Sequence, residues 1–252
     1  MSIGLTVLEE SLEVLKQNFE GDVLYDDVTR RLFATDASVY RQLPMGVAYP
    51  KGESDIRLLV KTAHKFGFSL IPRAGGTSLC GQVVGSGLVV DVSRYMDRIL
   101  EVNTEHGYAR VQPGVILDEL NRELKKVGRM FGPETSTSSR CTLGGMLGNN
   151  SCGSRSIVFG STRDHVLSAR VVLSDSSVVV FENESNKSFD AHCAENSFVG
   201  TVYRQARAFL SNPEHAKMLH DEFPKSSIRR RNTGYALDIL LGQAPFNAEG
   251  PP

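Results

Sequence analysis

The sequence predicts an α+β fold of two lobes, a small α/β lobe and a larger lobe with a mainly antiparallel sheet flanked by helices. Three observations carry this reading. Short apolar runs at 47–49, 69–71 and 88–92 alternate with one helical repeat, a β–α–β pattern over the first third. From Ile99 onward the apolar runs come in pairs across short polar turns, which implies hairpins and antiparallel pairing. Each lobe also carries one glycine-rich stretch, at 71–87 and at 131–160. The expected division is an N-terminal helix and arm over 1–43, a first lobe over 44–92 and a second over 93–252.

Taken in order, Leu8, Leu12, Leu15 and Phe19 recur at helical spacing, with Glu9, Glu10, Glu13 and Lys16 between them. The chain therefore opens on an amphipathic helix. A short strand is expected at 23–25, and 30–40 fits no single pattern. Val47, Ala48 and Tyr49 before Pro50 read as a strand end. A helix capped by Ser54 follows, carrying Ile56, Leu59, Val60 and Ala63 and stopping at Gly67. Strands at 99–102 and 109–111 pair across His106 and Gly107. Leu117, Leu120, Leu124 and Val127 then mark a helix that ends at Gly128. A second pair, 166–173 with 178–181, turns at 174–177. The polar stretch 185–196 is expected to be a loop, followed by one helix over 198–210 and another opened by Pro213.

The first glycine-rich stretch reads IPRAGGTSLCGQVVGSG. Gly75, Gly76, Gly81, Gly85 and Gly87 are joined there by the hydroxyls of Thr77 and Ser78. Glycine costs backbone entropy, so such a concentration needs a reason. Amides turned inward around an anion would supply one, since such a nest holds phosphate without a lysine. A plain flexible surface loop is the other reading. A Walker loop is excluded, because no Gly-Lys-Ser/Thr triplet occurs. A strand–glycine–helix dinucleotide fingerprint is excluded as well. Here Gly85-Ser86-Gly87 runs into Leu88, Val89 and Val90, which read as a strand.

In the second stretch, Thr135, Ser136, Thr137, Ser138, Ser139, Thr142 and Ser151 crowd Gly144, Gly145 and Gly148. A short helix over 142–149 would offer its positive N-terminus to an anion. A solvated Ser/Thr loop is the alternative, although Leu143, Met146 and Leu147 favour burial. A buried loop must satisfy its polar groups, and a large polar ligand is one way to do so. Two such cradles suggest one ligand with two ends, a dinucleotide lying between lobes.

Composition narrows the field. The 252 residues carry a net charge of −1, which gives no bulk field for nucleic acid. No apolar run approaches the roughly 20 residues of a membrane span. The acidic start, MSIGLTVLEESLEVLK, is unlike a signal peptide. Four cysteines, Cys80, Cys141, Cys152 and Cys193, form no C-x-x-C pair, so no metal site is expected and the thiols suit a cytoplasm.

These motifs together resemble the FAD-binding domain of the vanillyl-alcohol-oxidase and p-cresol-methylhydroxylase (PCMH) type. More narrowly, they resemble FAD-linked oxidases of D-2-hydroxy acids such as the glycolate oxidase and D-lactate dehydrogenase subunits. The first signature, P-R-G-G-G/N-T, stands here as Pro72-Arg73-Ala74-Gly75-Gly76-Thr77, with Ala74 in place of a glycine. The second appears as Pro133-Glu134 followed by Leu143-Gly144-Gly145. The third runs from Phe159-Gly160-Ser161-Thr162-Arg163-Asp164 into Val171-Val172-Leu173-Ser174-Asp175. The fourth is Arg231-Asn232-Thr233-Gly234-Tyr235-Ala236-Leu237.

The resemblance implies FAD as cofactor. Arg73 to Ser78, with Pro72 and Gly81, would hold its pyrophosphate through backbone amides. Pro133, Glu134, Thr137 and the turn Thr142, Leu143, Gly144, Gly145 would run along the flavin or ribityl side, and Asn150 and Gly153 would close on the cofactor. Thr77 stands where some relatives carry a flavin-linking histidine, so the FAD is expected to be non-covalent. The family's next strand, G-S-E-G-T-L-G, and its substrate-bearing cap domain are not in these 252 residues. The chain is therefore expected to be a fragment, or a separately made domain, of a larger flavoenzyme and inactive alone. The implied partners are a small hydroxy acid, met through the cap domain, and an electron acceptor. The implied location is the cytoplasm, including the periphery of the inner membrane.

No catalytic residue is assigned. His64, His106, His192, His215 and His220 have polar neighbours and read as solvated, and His165 reads as structural. Arg229, Arg230 and Arg231 read as a surface cluster, and Cys141 and Cys152 as inert packing. Two other functions remain open: a ligand-binding module of the same fold without redox activity, and a flavoenzyme like the enolpyruvoyl reductase.

Overall fold

The computed structural model describes residues 5–225, 227–228, 234–247 and 249–250. It divides into two compact units, Met1–His165 and Val166–Pro252. The boundary lies later than the expected one at 92/93, and both glycine-rich stretches belong to the first unit.

The first unit begins with α1 (Leu5–Asn18), β1 (Asp22–Leu24), α2 (Asp27–Leu32), β2 (Gly46–Tyr49), α3 (Glu53–Phe66), β3 (Leu70–Arg73) and β4 (Leu88–Asp91). The four strands form one sheet in the order β1-β2-β4-β3. β4 runs parallel to both neighbours, and β1 is antiparallel at the edge. Strands β2 and β4 are buried on both faces, which explains their unbroken apolar sequence. On one face Leu15, Leu59, Ala63 and Phe68 pack against Ala48, Leu88 and Val90. On the other, Val47, Tyr49 and Val89 meet Phe33, Ile71 and Tyr95.

Helix α3 starts two residues earlier than a cap at Ser54 predicts. Gly52 occupies its N-cap without a side-chain bond, and Gly67 closes it with φ 70°. The Asp55 side chain in its first turn is turned inward. Its carboxylate accepts the amides of Glu20 at 2.9 Å, Gly21 at 3.1 Å and Lys51 at 2.8 Å, and so ties the end of α1 to the sheet. Next come the hairpin β5 (Ile99–Asn103) and β6 (Tyr108–Val111), then α4 (Leu117–Lys125), α5 (Leu143–Asn149), α6 (Ser156–Phe159) and a 3-10 turn at Thr162–His165.

The second unit holds the hairpin β7 (Ser168–Val172) and β8 (Val178–Glu182), with α7 (Asn186–Ala194), α8 (Phe198–Leu210), α9 (Pro213–Glu222) and α10 (Leu237–Leu241). Both hairpins are antiparallel as expected, but each is a separate two-stranded ribbon. The stretch expected as a loop at 185–196 contains helix α7. Ser185 caps it by accepting the Ser188 amide at 3.1 Å, and Phe189 and Cys193, one turn apart, join Val179, Val199 and Tyr203 in a core. His192, expected to be solvated, lies 2.8 Å from a Glu195 carboxylate oxygen and stacks on Tyr203 with ring centroids 4.6 Å apart. Arg229, Arg230, Arg231, Asn232 and Thr233, including the start of the fourth signature, lie outside the described residues.

Candidate cofactor-binding site

Parallel neighbours cannot be joined by a tight turn, because the chain must return to the end it started from. The segment 74–87 makes that return between β3 and β4 without a helix, which accounts for its length. Pro72 and Arg73 are still in the sheet, paired with Val90 and Asp91. Beyond them, among the described residues, no amide from Ala74 through Ser78 donates to a protein group. Gly76 and Gly81 have φ of 59° and 73°, a region that side-chain-bearing residues seldom adopt.

The back of this loop rests on the segment after α2. Arg73 Nη1 donates to Thr35 O at 3.0 Å, and the guanidinium lies 4.9 Å from the centre of the Phe33 ring. The Ala37 amide donates to Gly76 O at 3.0 Å. A Cβ on Gly81 would come within 2.6 Å of the Tyr40 ring. Burial pushes the Arg73 pKa down, against the pull of Asp91 and Asp36. Phe33, Thr35, Ala37 and Tyr40 have no signal in the sequence, since 30–40 shows no periodicity and their partners are far along the chain. A cavity of about 310 Å³ beside the loop is lined by Tyr40, Arg41, Gln42, Cys80, Gly81 and Val84.

The second stretch meets the first directly. A Cβ on Gly145 would lie 2.8 Å from Ala74 Cβ, and one on Gly75 would lie 2.5 Å from Arg140 O. Gly144 is pressed as closely on Pro113, at 2.6 Å. The helix expected at 142–149 forms as α5, with Thr142 at its N-cap. Two of its leading amides are already used, Leu143 by Val115 O at 2.9 Å and Gly144 by Pro113 O at 2.8 Å. Leu143 and Met146 are buried with Val115 and Leu117. The Thr142 Oγ1 is buried and, among the described residues, has no hydrogen-bond partner.

Around this junction, Thr137 O accepts the amides of Arg140 and Cys141, both at 2.8 Å. Pro133 is buried. The Glu134 carboxylate takes Ser154 Oγ at 2.9 Å and Arg155 Nε at 3.0 Å. Gly153 is glycine for want of room, since its Cβ would be 2.4 Å from Glu134 O. Asn150 closes α5 in the left-handed region, and its Oδ1 accepts the Arg163 amide at 2.9 Å. His165 Nε2 lies 2.6 Å from Phe159 O, with the ring edge-on to Phe131, a packing role. Among the described residues no group of His, Cys, Asp and Glu could hold a metal ion, and no helix is long and apolar enough to cross a membrane.

The arrangement fits a flavin dinucleotide. Its diphosphate needs several donors without a bulky cation, and a run of unpaired amides at 74–78 offers them. Its polyol needs polar partners, and the orphaned Thr142 hydroxyl lies at the junction of the two stretches.

Residues 44–182 match the FAD binding domain family. Among individual proteins, the chain is 37% identical over 238 residues to the D-2-hydroxyglutarate dehydrogenase of Escherichia coli (strain K12), covering 92% of this chain and 23% of that protein. It is 30% identical over 174 residues to the glycolate oxidase subunit GlcD of Bacillus subtilis (strain 168), covering 68% of this chain and 37% of that one. The chain thus spans well under half the length of these relatives. A solved structure of alkyldihydroxyacetonephosphate synthase superposes with a TM-score of 0.64 at 25% identity, over 70% of this chain and 35% of that one. The family match covers more than half of the chain and the whole of the glycine-rich junction, so this chain belongs to the FAD binding domain family.

Proposed function

We propose that the chain is the FAD-holding part of a flavin-dependent oxidoreductase that oxidises a D-2-hydroxy acid. The observation that carries the proposal is the contact between Ala74 and Gly145, which brings both glycine-rich stretches to one place. Relatives named for D-2-hydroxyglutarate and glycolate support the substrate class.

Bound FAD supplies a hydride acceptor for the substrate α-carbon. The role of this chain is to bind and orient it. Amides from Ala74 to Ser78 hold the diphosphate, with Pro72 and Arg73 fixing the loop to the sheet and Gly81 turning it. Pro133, Glu134, Thr137 and Thr142 to Gly145 line the flavin and ribityl side, and Asn150 and Gly153 shape the adjoining turn. Thr77 leaves the flavin non-covalently bound. The groups that grip the carboxylate and take the hydroxyl proton come from the remainder of the full-length protein. The proposal places the protein in the cytoplasm, where its free cysteines stay reduced.

The full-length protein should purify yellow and reduce a dye with D-2-hydroxyglutarate, D-lactate or glycolate. Bound flavin without turnover of any hydroxy acid would favour a ligand-binding module of the same fold. A colourless protein that takes up no flavin would defeat both.

A further inference from the structure

The segment 33–40 lies outside the matched span 44–182, yet it touches the glycine loop at Gly76 and Gly81 and the Arg73 side chain at the loop's start through Phe33 and Thr35. It is itself built to hold a shape. Asp26 caps α2 by accepting the amides of Val28 and Thr29, and Thr35 bridges to Arg41 in an isolated antiparallel pair. Phe33 also meets Tyr49 in an edge-to-face contact, ring centroids 6.1 Å apart.

A loop of unpaired amides has many conformations, and ordering it on binding costs conformational entropy. A loop held in its binding shape beforehand avoids that cost and binds more tightly. We infer that residues 33–40 are the buttress that preorganises the glycine loop, and that Arg73 is the positioning residue coupling the two. The inference rests on the reading of the loop as the diphosphate holder. Arg73 is suited to the task because its backbone is fixed in β3 while its head grips the arm. The planar guanidinium covers the Phe33 ring and donates to Thr35 O together, which an ammonium cannot reproduce. It also fills the space beside Gly76, where a Cβ would lie 2.8 Å from Nη2.

A phosphate-binding arginine and a positioning arginine respond differently to Arg73→Lys, which keeps the charge and loses the plane. In the full-length protein, Arg73→Lys and Phe33→Leu should each weaken FAD binding by about ten-fold, the loss expected from a ring–guanidinium contact. The double variant should bind no worse than the weaker single, because both remove one contact. Without added FAD, hydrogen exchange at the Ala37 amide should speed up in both variants, while the melting temperature of Arg73→Lys changes little. Wild-type affinity in Arg73→Lys, additive losses in the double variant, or an Ala37 amide as protected as before would each overturn the inference. Should the wild-type protein take up no FAD, the flavin reading fails on its own, and Ala37 exchange alone decides whether Arg73 couples arm to loop.

Discussion

Gly145 and Ala74 touch: a Cβ on the first would lie 2.8 Å from the Cβ of the second. One residue belongs to the first turn of α5 and the other to the loop leaving β3. Their contact makes one site of two stretches that are remote in sequence. It also explains why glycine stands in the first turn of a helix, where its entropy cost is otherwise unrewarded.

This contact can be broken and mended. Gly145→Ala should overpack the junction and destabilise the protein by about 1–3 kcal/mol, with reduced flavin content. Ala74→Gly removes the opposing methyl and restores the glycine of the family signature. The double variant should regain most of the lost melting temperature and flavin, whereas an unrelieved double variant would show that the contact is not the cause.

Gly75 and Gly148 make a sharper contrast. A methyl at Gly75 would meet the Arg140 carbonyl oxygen at 2.5 Å, a backbone atom with no rotamer to relax into. Nothing lies within 4 Å of the corresponding position at Gly148. Gly75→Ala should therefore cost more than 1 kcal/mol, while Gly148→Ala, inside α5, should stabilise by about 0.5–1 kcal/mol through its helix preference. Thermal melts of the two variants side by side check both signs.

Much of this was legible in the sequence because it is local. The strands, the helix at 198–210 and the hairpins follow from periodicity and turn residues, and the glycine stretches announce themselves by composition. What escaped is non-local. Helix α7 reads as polar because only Phe189 and Cys193 face a core, and that core comes from β8 and α8. The 33–40 arm has no period because, beside a few local turn bonds, it packs on Arg73, Gly76, Gly81 and Tyr49, all outside its own stretch of sequence. The crowding at Gly75, Gly145 and Gly153 likewise depends on which backbone arrives beside each one. A glycine signals that room is needed but not whose.

Asp55 offers a stability prediction away from the site. Its side chain is 1% exposed and its two carboxylate oxygens accept three backbone amides. Asn at this position keeps the shape but turns one oxygen into a donor facing donors. Asp55→Asn should destabilise the first unit by about 1–3 kcal/mol. Hydrogen exchange should locate the damage at the amides of Glu20, Gly21 and Lys51. Wild-type protection there would show that these amides do not depend on the carboxylate.

Tyr203 sets a pH dependence in the second unit. Burial, and then the hydrogen bond its hydroxyl donates to Glu184, push the Tyr203 pKa above its ordinary value of 10.0. In the unfolded chain the phenol ionises at the ordinary value, while in the fold it keeps its proton to higher pH. Folding is thus coupled to a held proton. The stabilisation is complete below pH 10 and is lost as pH climbs from there through the raised value. Tyr203→Phe removes the hydroxyl and leaves Glu184 without that donor, so the variant should melt lower near neutral pH. Its melting temperature should then fall less steeply than the wild type's above pH 10. Parallel melting curves on the alkaline side would assign that titration to another group.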